Sequence, residues 1–367
     1  MWYKAENEDS VFTPSLLVYP DRIEENLRRM IDLAGSADRL RPHVKTHKMG
    51  ELIDLQLQLG IHKFKCATLS EARMVAEHGG PDVLLAYPLL GPDIPYFLKL
   101  IQIFPDTRFS VTVDSVKACH MIEEHLSGSP GPLELFVDLD NGMHRTGIRA
   151  EEALDLIRHI QENILLEFAG LHIYDGHIHD RDPDDRKAHC DSDFQEVEQL
   201  IGKLESNGIP VGELACGGTP TFPIHAQHPS RTLCPGTPVL WDAGYHEAFP
   251  DLDFLPSAVL AGRVISISDK QLSVDLGYKA MASEMAHPRL RFLNLEHKEI
   301  LNHSEEHLVL ANADTHNLEV GDLVYALPVH ICPTVALHEQ VYVLKDHKVA
   351  NVWKVAARKR IYKAFTR

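Results

Sequence analysis

The chain alternates between short apolar runs and longer segments whose hydrophobic residues recur at helical intervals. Ile23, Leu27 and Met30 follow Asp21 at such intervals, which predicts a helix over Asp21–Gly35. Eight short apolar runs follow, with helical segments between them: Leu40–Thr46, Lys63–Leu69, Asp82–Tyr87, Arg108–Val113, Leu133–Asp138, Phe168–Tyr174, Gly212–Cys216 and Arg231–Pro235. Eight strand–helix units are typical of a (β/α)8 barrel of the TIM type, although a doubly wound open sheet also alternates in this way.

The hydrophobic pattern changes after about Pro256. From there the chain consists of short alternating runs, such as SAVLAGRVISI and QVYVLKD, separated by Gly, Asp, Asn and Lys turns. This pattern indicates a second, C-terminal β-rich domain. We therefore predict a barrel over residues 16–255 and a β-rich domain over 256–367, with residues 1–15 assignable to either domain.

Composition narrows the classes of function. Acidic residues number 53 against 36 basic ones, a net charge of −17, which disfavours binding to the phosphates of nucleic acids. The N-terminal MWYKAENEDS lacks the features of a signal peptide, and no run of about 18 apolar residues suggests a membrane span. The six cysteines show no paired spacing. We expect a cytoplasmic protein without nucleic-acid or membrane partners.

Polar or glycine-rich segments follow five of the predicted barrel strands. Functional residues of such barrels lie at the carboxyl ends of the strands, where neighbouring segments meet. The candidates, in chain order, are Lys45, Arg145 in NGMHRTG, Tyr174 with Asp175 and His177, Gly217-Gly218-Thr219, and Gly236-Thr237. We expect these residues to meet at one rim of the barrel.

The glycines suggest a phosphate site. Gly218 would let the backbone approach a ligand closely, and Thr219 adds a hydroxyl group. Gly236 and Thr237 offer the same combination after the eighth strand. Taken alone, however, such glycines more often serve tight turns.

Lys45 is the candidate for covalent chemistry. A lysine beside a phosphate site at the barrel mouth suggests pyridoxal phosphate, whose aldehyde forms a Schiff base with an amine. Most lysines only carry charge at the surface, but the strand pattern around Val44 directs Lys45 towards the barrel mouth. Lys48 is the competing lysine, and we expect it on the surface of the following helix.

Six motifs together resemble a known family: VKTHK, NGMHRTGI, YDGHIHD, GGTPTF, CPGTPVLWD and PVHICPTV. They are similar to motifs of the fold-III pyridoxal phosphate enzymes related to D-threonine aldolase and eukaryotic-type D-serine dehydratase, with alanine racemase as a more distant relative. The likeness covers nearly the whole chain in order. It implies that Lys45 forms the Schiff base, that Tyr174 and Arg145 surround the ring, and that the protein is a homodimer. It also implies a phosphate site at Gly218, Thr219, Gly236 and Thr237.

Two departures disfavour a racemase. Racemases of this fold have Arg-Pro-Gly, whose arginine faces the pyridine nitrogen, where this chain has Cys234-Pro235-Gly236. Tyr278, in VDLGYKAMASE, lacks the Gly-Tyr-Gly-Asp-Gly setting of the racemase tyrosine. Because racemisation needs a proton donor on both faces of the substrate, this reaction is not expected.

His330 and Cys332 form a candidate metal site in PVHICPTV. If this segment is a strand, the two side chains project to one face, and imidazole and thiolate are suitable ligands for zinc. An isolated H-x-C is more often an ordinary buried pair, but the resemblance implies metal ligands here. We expect a divalent metal, zinc first, with manganese or magnesium as alternatives. His177 and His179 are a weaker pair.

The resemblance implies a lyase that acts on β-hydroxy-D-amino acids with pyridoxal phosphate and a divalent metal. The overall likeness favours D-threonine-aldolase-type cleavage to glycine and an aldehyde. Cys332 instead favours the dehydratases, which convert D-serine or D-threo-3-hydroxyaspartate to a keto acid and ammonia. A racemase and a non-catalytic pyridoxal phosphate-binding protein are weaker alternatives. The base for the hydroxyl group is open among His43, His47 and His177.

Overall fold

The computed structural model describes residues 1–126, 131–296, 299–311 and 318–360. The chain separates into two compact units, each discontinuous in sequence. The barrel unit comprises Met30–Lys45, Leu52–Gly236 and the described residues from Lys359. The β unit comprises Met1–Arg29, Thr46–Glu51 and Thr237–Arg358.

The barrel unit is built on a sheet of seven parallel strands in sequential order. Its strands are Lys63–Cys66, Asp82–Leu85, Arg108–Val113, Leu133–Leu139, Leu166–Ile173, Glu213–Cys216 and Arg231–Leu233. Residues 40–43 lie between the first and last of these strands, since Leu40 forms a parallel bridge with Leu233 and His43 one with Lys65. This eighth segment continues the sheet around the barrel and confirms the predicted fold class.

Helices follow the barrel strands, and local capping explains where several of them begin. The barrel unit contains Leu69–Glu77, Asp93–Ile103, Val116–Glu123, Ala153–Glu162, Pro183–Ser206 and Phe222–Ala226, whereas Pro20–Ala34 and Gly50–Gln58 contribute residues to both units. Thr68 accepts a hydrogen bond from the Glu71 amide, and the Glu71 carboxylate accepts one from the Ala67 amide at 2.6 Å. Such reciprocal bonds satisfy amides that a helix leaves unpaired. Among the described helices, none is long and apolar enough to cross a membrane.

Charged side chains fill the barrel at the amino ends of the strands. Arg41 is fully buried, with its guanidinium 2.6 Å from Asp82 and 2.8 Å from Glu213. Lys63 lies 2.9 Å from the other oxygen of Glu213. Because every charge here has an opposite partner, the cost of burial is offset. These paired charges form a layer across the amino end of the barrel, which we call the ionic layer.

The β unit contains one mixed sheet, of nine strands among the described residues. They are Ser15–Val18, Ala258–Ile267, Gln271–Val274, Leu290–Phe292, Ile300–His303, Leu308–Ala311, Leu323–Pro328, Gln340–Lys345 and Lys348–Lys354, and the helices are Ala243–Ala248 and Ile331–Leu337. The β-rich character predicted from the alternating pattern is confirmed.

The N-terminal residues belong to the β unit because of strand pairing. Ser15–Val18 pairs in parallel with Gln340–Lys345 and antiparallel with Ala258–Ile267. The compact units thus differ from the predicted bounds of 16–255 and 256–367, whose last residues, 361–367, lie outside the described part of the chain.

Candidate cofactor and metal sites

Lys45 lies at the carboxyl side of the segment that closes the barrel. The predicted strand Leu40–Thr46 ends earlier than expected, because Val44–Thr46 forms a single 3-10 turn. The Lys45 amide donates a hydrogen bond to Nδ1 of His43 at 3.4 Å, a local alternative to pairing in the sheet. The half-buried Lys45 side chain places Nζ 5.7 Å from the ring centroid of Tyr174.

Tyr174 is the centre of a group of cations. Besides Lys45, the Lys65 Nζ lies 5.1 Å and the Arg145 Cζ 5.0 Å from its ring centroid, within the range of cation–π attraction. Gly176 leaves room for the ring, since a Cβ there would lie 2.3–2.4 Å from Tyr174 side-chain atoms. The structure therefore brings the predicted residues Lys45, Arg145 and Tyr174 together, and adds Lys65.

The glycine-rich loop after the seventh strand lies beside the same tyrosine. A Cβ at Gly218 would lie 3.2 Å from Cε2 of Tyr174. The hydroxyl group of the buried Thr219 accepts a hydrogen bond from the Gly236 amide at 3.3 Å, which joins the two predicted phosphate segments. Thr237 begins a 3-10 turn, Thr237–Val239, of the β unit. Three of the four predicted phosphate residues thus lie within the barrel unit.

A buried network that the sequence did not predict supports this loop. Asp175 accepts hydrogen bonds from the Thr221 hydroxyl at 2.8 Å and from Nε2 of His225 at 2.7 Å. Thr221 in turn accepts one from the Gly218 amide at 3.2 Å. Burial raises the pKa of Asp175, but the hydrogen bonds that it accepts from His225 and Thr221 outweigh burial and hold that pKa below its ordinary value. The carboxylate is thus a fixed acceptor behind the loop.

Three buried polar atoms at the barrel's functional end have no hydrogen-bond partner among the described residues: Nζ of Lys65, Nε2 of His172 and Oδ1 of Asn141. Asp138 holds the other ring nitrogen of His172 at 2.6 Å, and burial and the Lys65 charge lower the pKa of this histidine. Unsatisfied buried polar atoms are unfavourable unless a ligand pairs with them. With an amine, an aromatic ring and a glycine-rich loop nearby, these atoms fit pyridoxal phosphate.

The three histidines considered as base differ in setting. His43 lies in the barrel unit and accepts the Lys45 amide bond, whereas His47 lies in the β unit. Burial lowers the pKa of His47 to about 3, so this imidazole stays neutral at physiological pH. His177 pairs with Asp193 at 2.7 Å. These contacts leave the choice of base open.

The predicted strand through PVHICPTV is wrong beyond its first residue. The strand Leu323–Pro328 ends before His330, which is the N-cap of the helix Ile331–Leu337. Asp242 stabilises this helix start by accepting a hydrogen bond from the Ile331 amide at 2.9 Å. Cys332 therefore lies in the first helical turn rather than on a strand face.

His330 and Cys332 nevertheless contact each other. Burial lowers the pKa of His330, but its hydrogen bonds to Cys332 and Glu284 raise it to about 9. Glu284 holds Nδ1 of His330 at 2.6 Å, which leaves Nε2 as the nitrogen for a metal. The Cys332 sulfur lies 3.3 Å from the Thr46 hydroxyl. An imidazole oriented by a carboxylate beside a thiol is a donor set that fits zinc.

Comparison with known proteins gives matches along nearly the whole chain. Residues 18–239 match the family model described as alanine racemase, N-terminal domain, and residues 257–344 match the serine dehydratase domain. A D-threonine aldolase from Arthrobacter is 28% identical over 358 residues, covering 95% of this chain and 93% of the relative. A 3-hydroxy-D-aspartate aldolase from Paracoccus denitrificans is 28% identical over 373 residues, covering 97% and 94%.

A solved structure agrees over the same extent. The crystal structure of D-threonine aldolase from Filomicrobium marinum has a TM-score of 0.86 at 27% identity and covers 97% of this chain and 98% of that one. The predicted enzyme class, a pyridoxal phosphate-dependent lyase, is confirmed by these relatives. Because the first family model spans more than half of the sequence, the chain belongs to the alanine racemase N-terminal domain family.

Proposed function

We propose that this protein is a lyase that uses pyridoxal phosphate and a divalent metal to cleave the Cα–Cβ bond of β-hydroxy-D-amino acids, giving glycine and an aldehyde. The observation that carries this proposal is the convergence of Lys45 and Arg145 on the Tyr174 ring beside a glycine-rich loop. The two aldolases that match over more than nine tenths of their length support cleavage as the reaction.

Each residue of the barrel unit has a distinct role in this proposal. Bound pyridoxal phosphate would supply an electron sink for the substrate's α-carbon. Lys45 would hold the cofactor aldehyde. The segments of Gly218, Thr219 and Gly236 would enclose its phosphate, with the Thr219 hydroxyl group as a donor. Tyr174 and Arg145 would face the ring and fix its orientation. The amine of Lys45 would also hold or release a proton.

The β unit would supply the metal ligands. A divalent metal would supply Lewis acidity for the substrate's β-hydroxyl group. Nε2 of His330 and the Cys332 thiolate are the proposed ligands, and Glu284 orients the imidazole. A thiolate favours zinc, and manganese or magnesium would be weaker alternatives. Two protein ligands leave coordination positions open for water and substrate, as in catalytic sites.

Dehydration is the second candidate reaction. The match to the serine dehydratase domain over residues 257–344 includes Cys332, the ligand type that we associate with dehydratases. Elimination of the β-hydroxyl group from D-serine or D-threo-3-hydroxyaspartate would give a keto acid and ammonia. The same lysine and the same metal ligands would serve this reaction.

Product analysis separates the two reactions. The enzyme, loaded with pyridoxal phosphate and zinc, is incubated with D-threonine and with D-serine, and glycine, 2-oxobutanoate and pyruvate are quantified. We expect glycine and acetaldehyde from D-threonine, and no product with Lys45→Ala. Keto acids as the main products would favour the dehydratase. Recovery of both substrates unchanged or racemised would contradict a lyase.

We also propose a cytoplasmic homodimer, since fold-III enzymes of the resembled family are dimeric. A stable dimer of this kind would bury well over ~1,200 Å². Light scattering across a dilution series measures the assembly. A monomer that keeps full activity at nanomolar concentration would contradict the dimer.

A further inference from the structure

Lys65 projects into the interior of the barrel. It lies on the strand Lys63–Cys66 in parallel register with Leu84. Leu84 belongs to an interior cluster completed by Phe136, Ala215 and Cys234. Residues in direct parallel register lie on the same face of a sheet, so the Lys65 side chain shares this interior. Only 2% of Lys65 is exposed.

The Lys65 amine has no hydrogen-bond partner among the described residues. Its ring contact, 5.1 Å from the Tyr174 centroid, is much weaker than hydration of an ammonium group. Burial lowers the pKa of Lys65 and the charge of Lys45 adds to this, whereas Cys234, Asp138 and Asp175 oppose it only in part. A buried amine in this state is expected where a ligand supplies the missing partner.

The chemistry of pyridoxal phosphate identifies the missing partner. The aldehyde, the phosphate and the ring substituents already have candidate residues in Lys45, the glycine-rich loop and Arg145. The ring nitrogen lies opposite the aldehyde carbon and has no candidate. Cys234, the residue that replaces the arginine expected to face this nitrogen in racemases, belongs to the same interior cluster as Leu84, the register partner of Lys65. The strand Lys63–Cys66 thus supplies a cationic side chain to the interior region in which this chain has Cys234 instead of the racemase arginine.

We propose that Lys65 is a binding residue for the cofactor ring and that its amine donates a hydrogen bond to the pyridine nitrogen. The inference rests on the proposed function, because it requires pyridoxal phosphate in this barrel. A positively charged hydrogen-bond donor keeps the ring nitrogen unprotonated, because a protonated pyridinium beside an ammonium group would be repelled. Lys65 thereby moderates the electron sink that acts on the substrate.

Nitrogen-15 NMR of the bound cofactor tests this role directly. Wild type, Lys65→Met and Lys65→Arg are each reconstituted with pyridoxal phosphate labelled at the ring nitrogen. We expect wild type and Lys65→Arg to show a neutral, hydrogen-bonded pyridine, and Lys65→Met to shift away from that position. Methionine has a similar length but cannot donate. We also expect Lys65→Met to bind the cofactor about tenfold more weakly. An unchanged resonance in Lys65→Met, or a pyridinium in wild type, would overturn the proposal.

Further measurements distinguish a failure of the Lys65 proposal from a failure of the proposed function. The cofactor-free Lys65→Met protein should melt at a higher temperature than cofactor-free wild type, because a buried unpaired amine is removed. If Lys65→Met retains no cofactor, restored binding by Lys65→Arg or Lys65→Gln supports the proposal, and failure of both donors to restore it overturns it. A change only in KM for the amino acid would assign Lys65 to the substrate instead. Wild type that binds no pyridoxal phosphate would refute the proposed function itself.

Discussion

Asp175→Asn is expected to weaken cofactor binding, although Asp175 has no proposed contact with the cofactor. The carboxylate accepts from Thr221 through one oxygen and from His225 through the other. A guanidinium cannot accept a hydrogen bond, so Arg231, 3.0 Å from Nδ1 of His225, must donate to that nitrogen. Nε2 of His225 therefore carries the proton and requires an acceptor at residue 175.

Asparagine offers one acceptor oxygen where aspartate offers two. Either Thr221 or His225 would then face an amide N–H group and lose its acceptor. Leaving one buried donor unsatisfied costs about 1–3 kcal/mol. Thr221 also binds the Gly218 amide, so the cost falls on the loop that we assign to the phosphate. A loss of about 2 kcal/mol corresponds to roughly a 30-fold increase in Kd.

Titration of the cofactor-free protein with pyridoxal phosphate, followed by absorbance, measures this effect. Asp180→Asn is the matched control, because Asp180 holds His189 at 2.8 Å in a more exposed pair. The Kd of the Asp180→Asn control for pyridoxal phosphate is expected to stay within about twofold of the wild-type value, because exposed ion pairs contribute little to stability. A Kd for Asp175→Asn as close to wild type as that of the control would refute the role assigned to the network.

Three further predictions concern the metal, the ionic layer and the glycine beside the aromatic ring. EDTA should abolish turnover while leaving pyridoxal phosphate bound, and Cys332→Asp should shift the preferred metal from zinc towards manganese or magnesium in add-back assays; full activity without metal would contradict this. Burial raises the pKa of Glu213, but the neighbouring cations outweigh burial and lower this pKa from 4.5 to about 2. The ionised carboxylate therefore stabilises the folded protein fully above pH 4.5, and this stabilisation is lost as the pH falls towards 2. Glu213→Gln should therefore lower the free energy of unfolding by about 3 kcal/mol at pH 7 and by much less at pH 3; equal urea midpoints of variant and wild type at pH 7 would argue against the layer. Gly176→Ala should displace the Tyr174 ring and weaken cofactor binding about tenfold, whereas Gly202→Ala, with open space around its Cβ, should not; equal affinities would exclude this packing role.

The alternating pattern was sufficient to predict the barrel because each strand is short, apolar and bounded by turns. The strand Arg108–Val113 has the predicted ends, and most others differ by a few residues at one end. The apolar run LRPHVKT predicts an extended strand, and this pattern puts Lys45 near the end of that strand. The turn depends on a hydrogen bond to the His43 ring, which residue pattern alone does not reveal.

The helix at the candidate metal site had a sequence signal that was missed. Pro333 lies in the first turn of Ile331–Leu337, the part of a helix in which proline is tolerated. The short apolar run PVHICPTV suited a strand equally well, since periodicity cannot separate short strands from short helices. His330 and Cys332 are in contact through a helix start rather than on a strand face, and their role as metal ligands stays a prediction.

Lys65 and Asp175 show why buried polar residues are hard to assign from sequence. The alternation in Lys63–Cys66 places both lysines on one face, but it does not say that this face is the interior of the barrel. Lysine is rarely fully buried, so the ordinary expectation was solvent exposure. Asp175 required the positions of Thr221 and His225, which only the folded chain brings together.

Borohydride reduction of the cofactor-loaded protein, followed by peptide mapping, tests most directly whether Lys45 holds pyridoxal phosphate. We predict that the reduced cofactor is found on the peptide that contains Lys45, that Lys45→Ala loses this label, and that Lys48→Ala keeps it. A label on Lys65 or Lys48 in the wild-type protein, or no label after incubation with pyridoxal phosphate, would contradict the assignment of Lys45 and the reaction proposed from it.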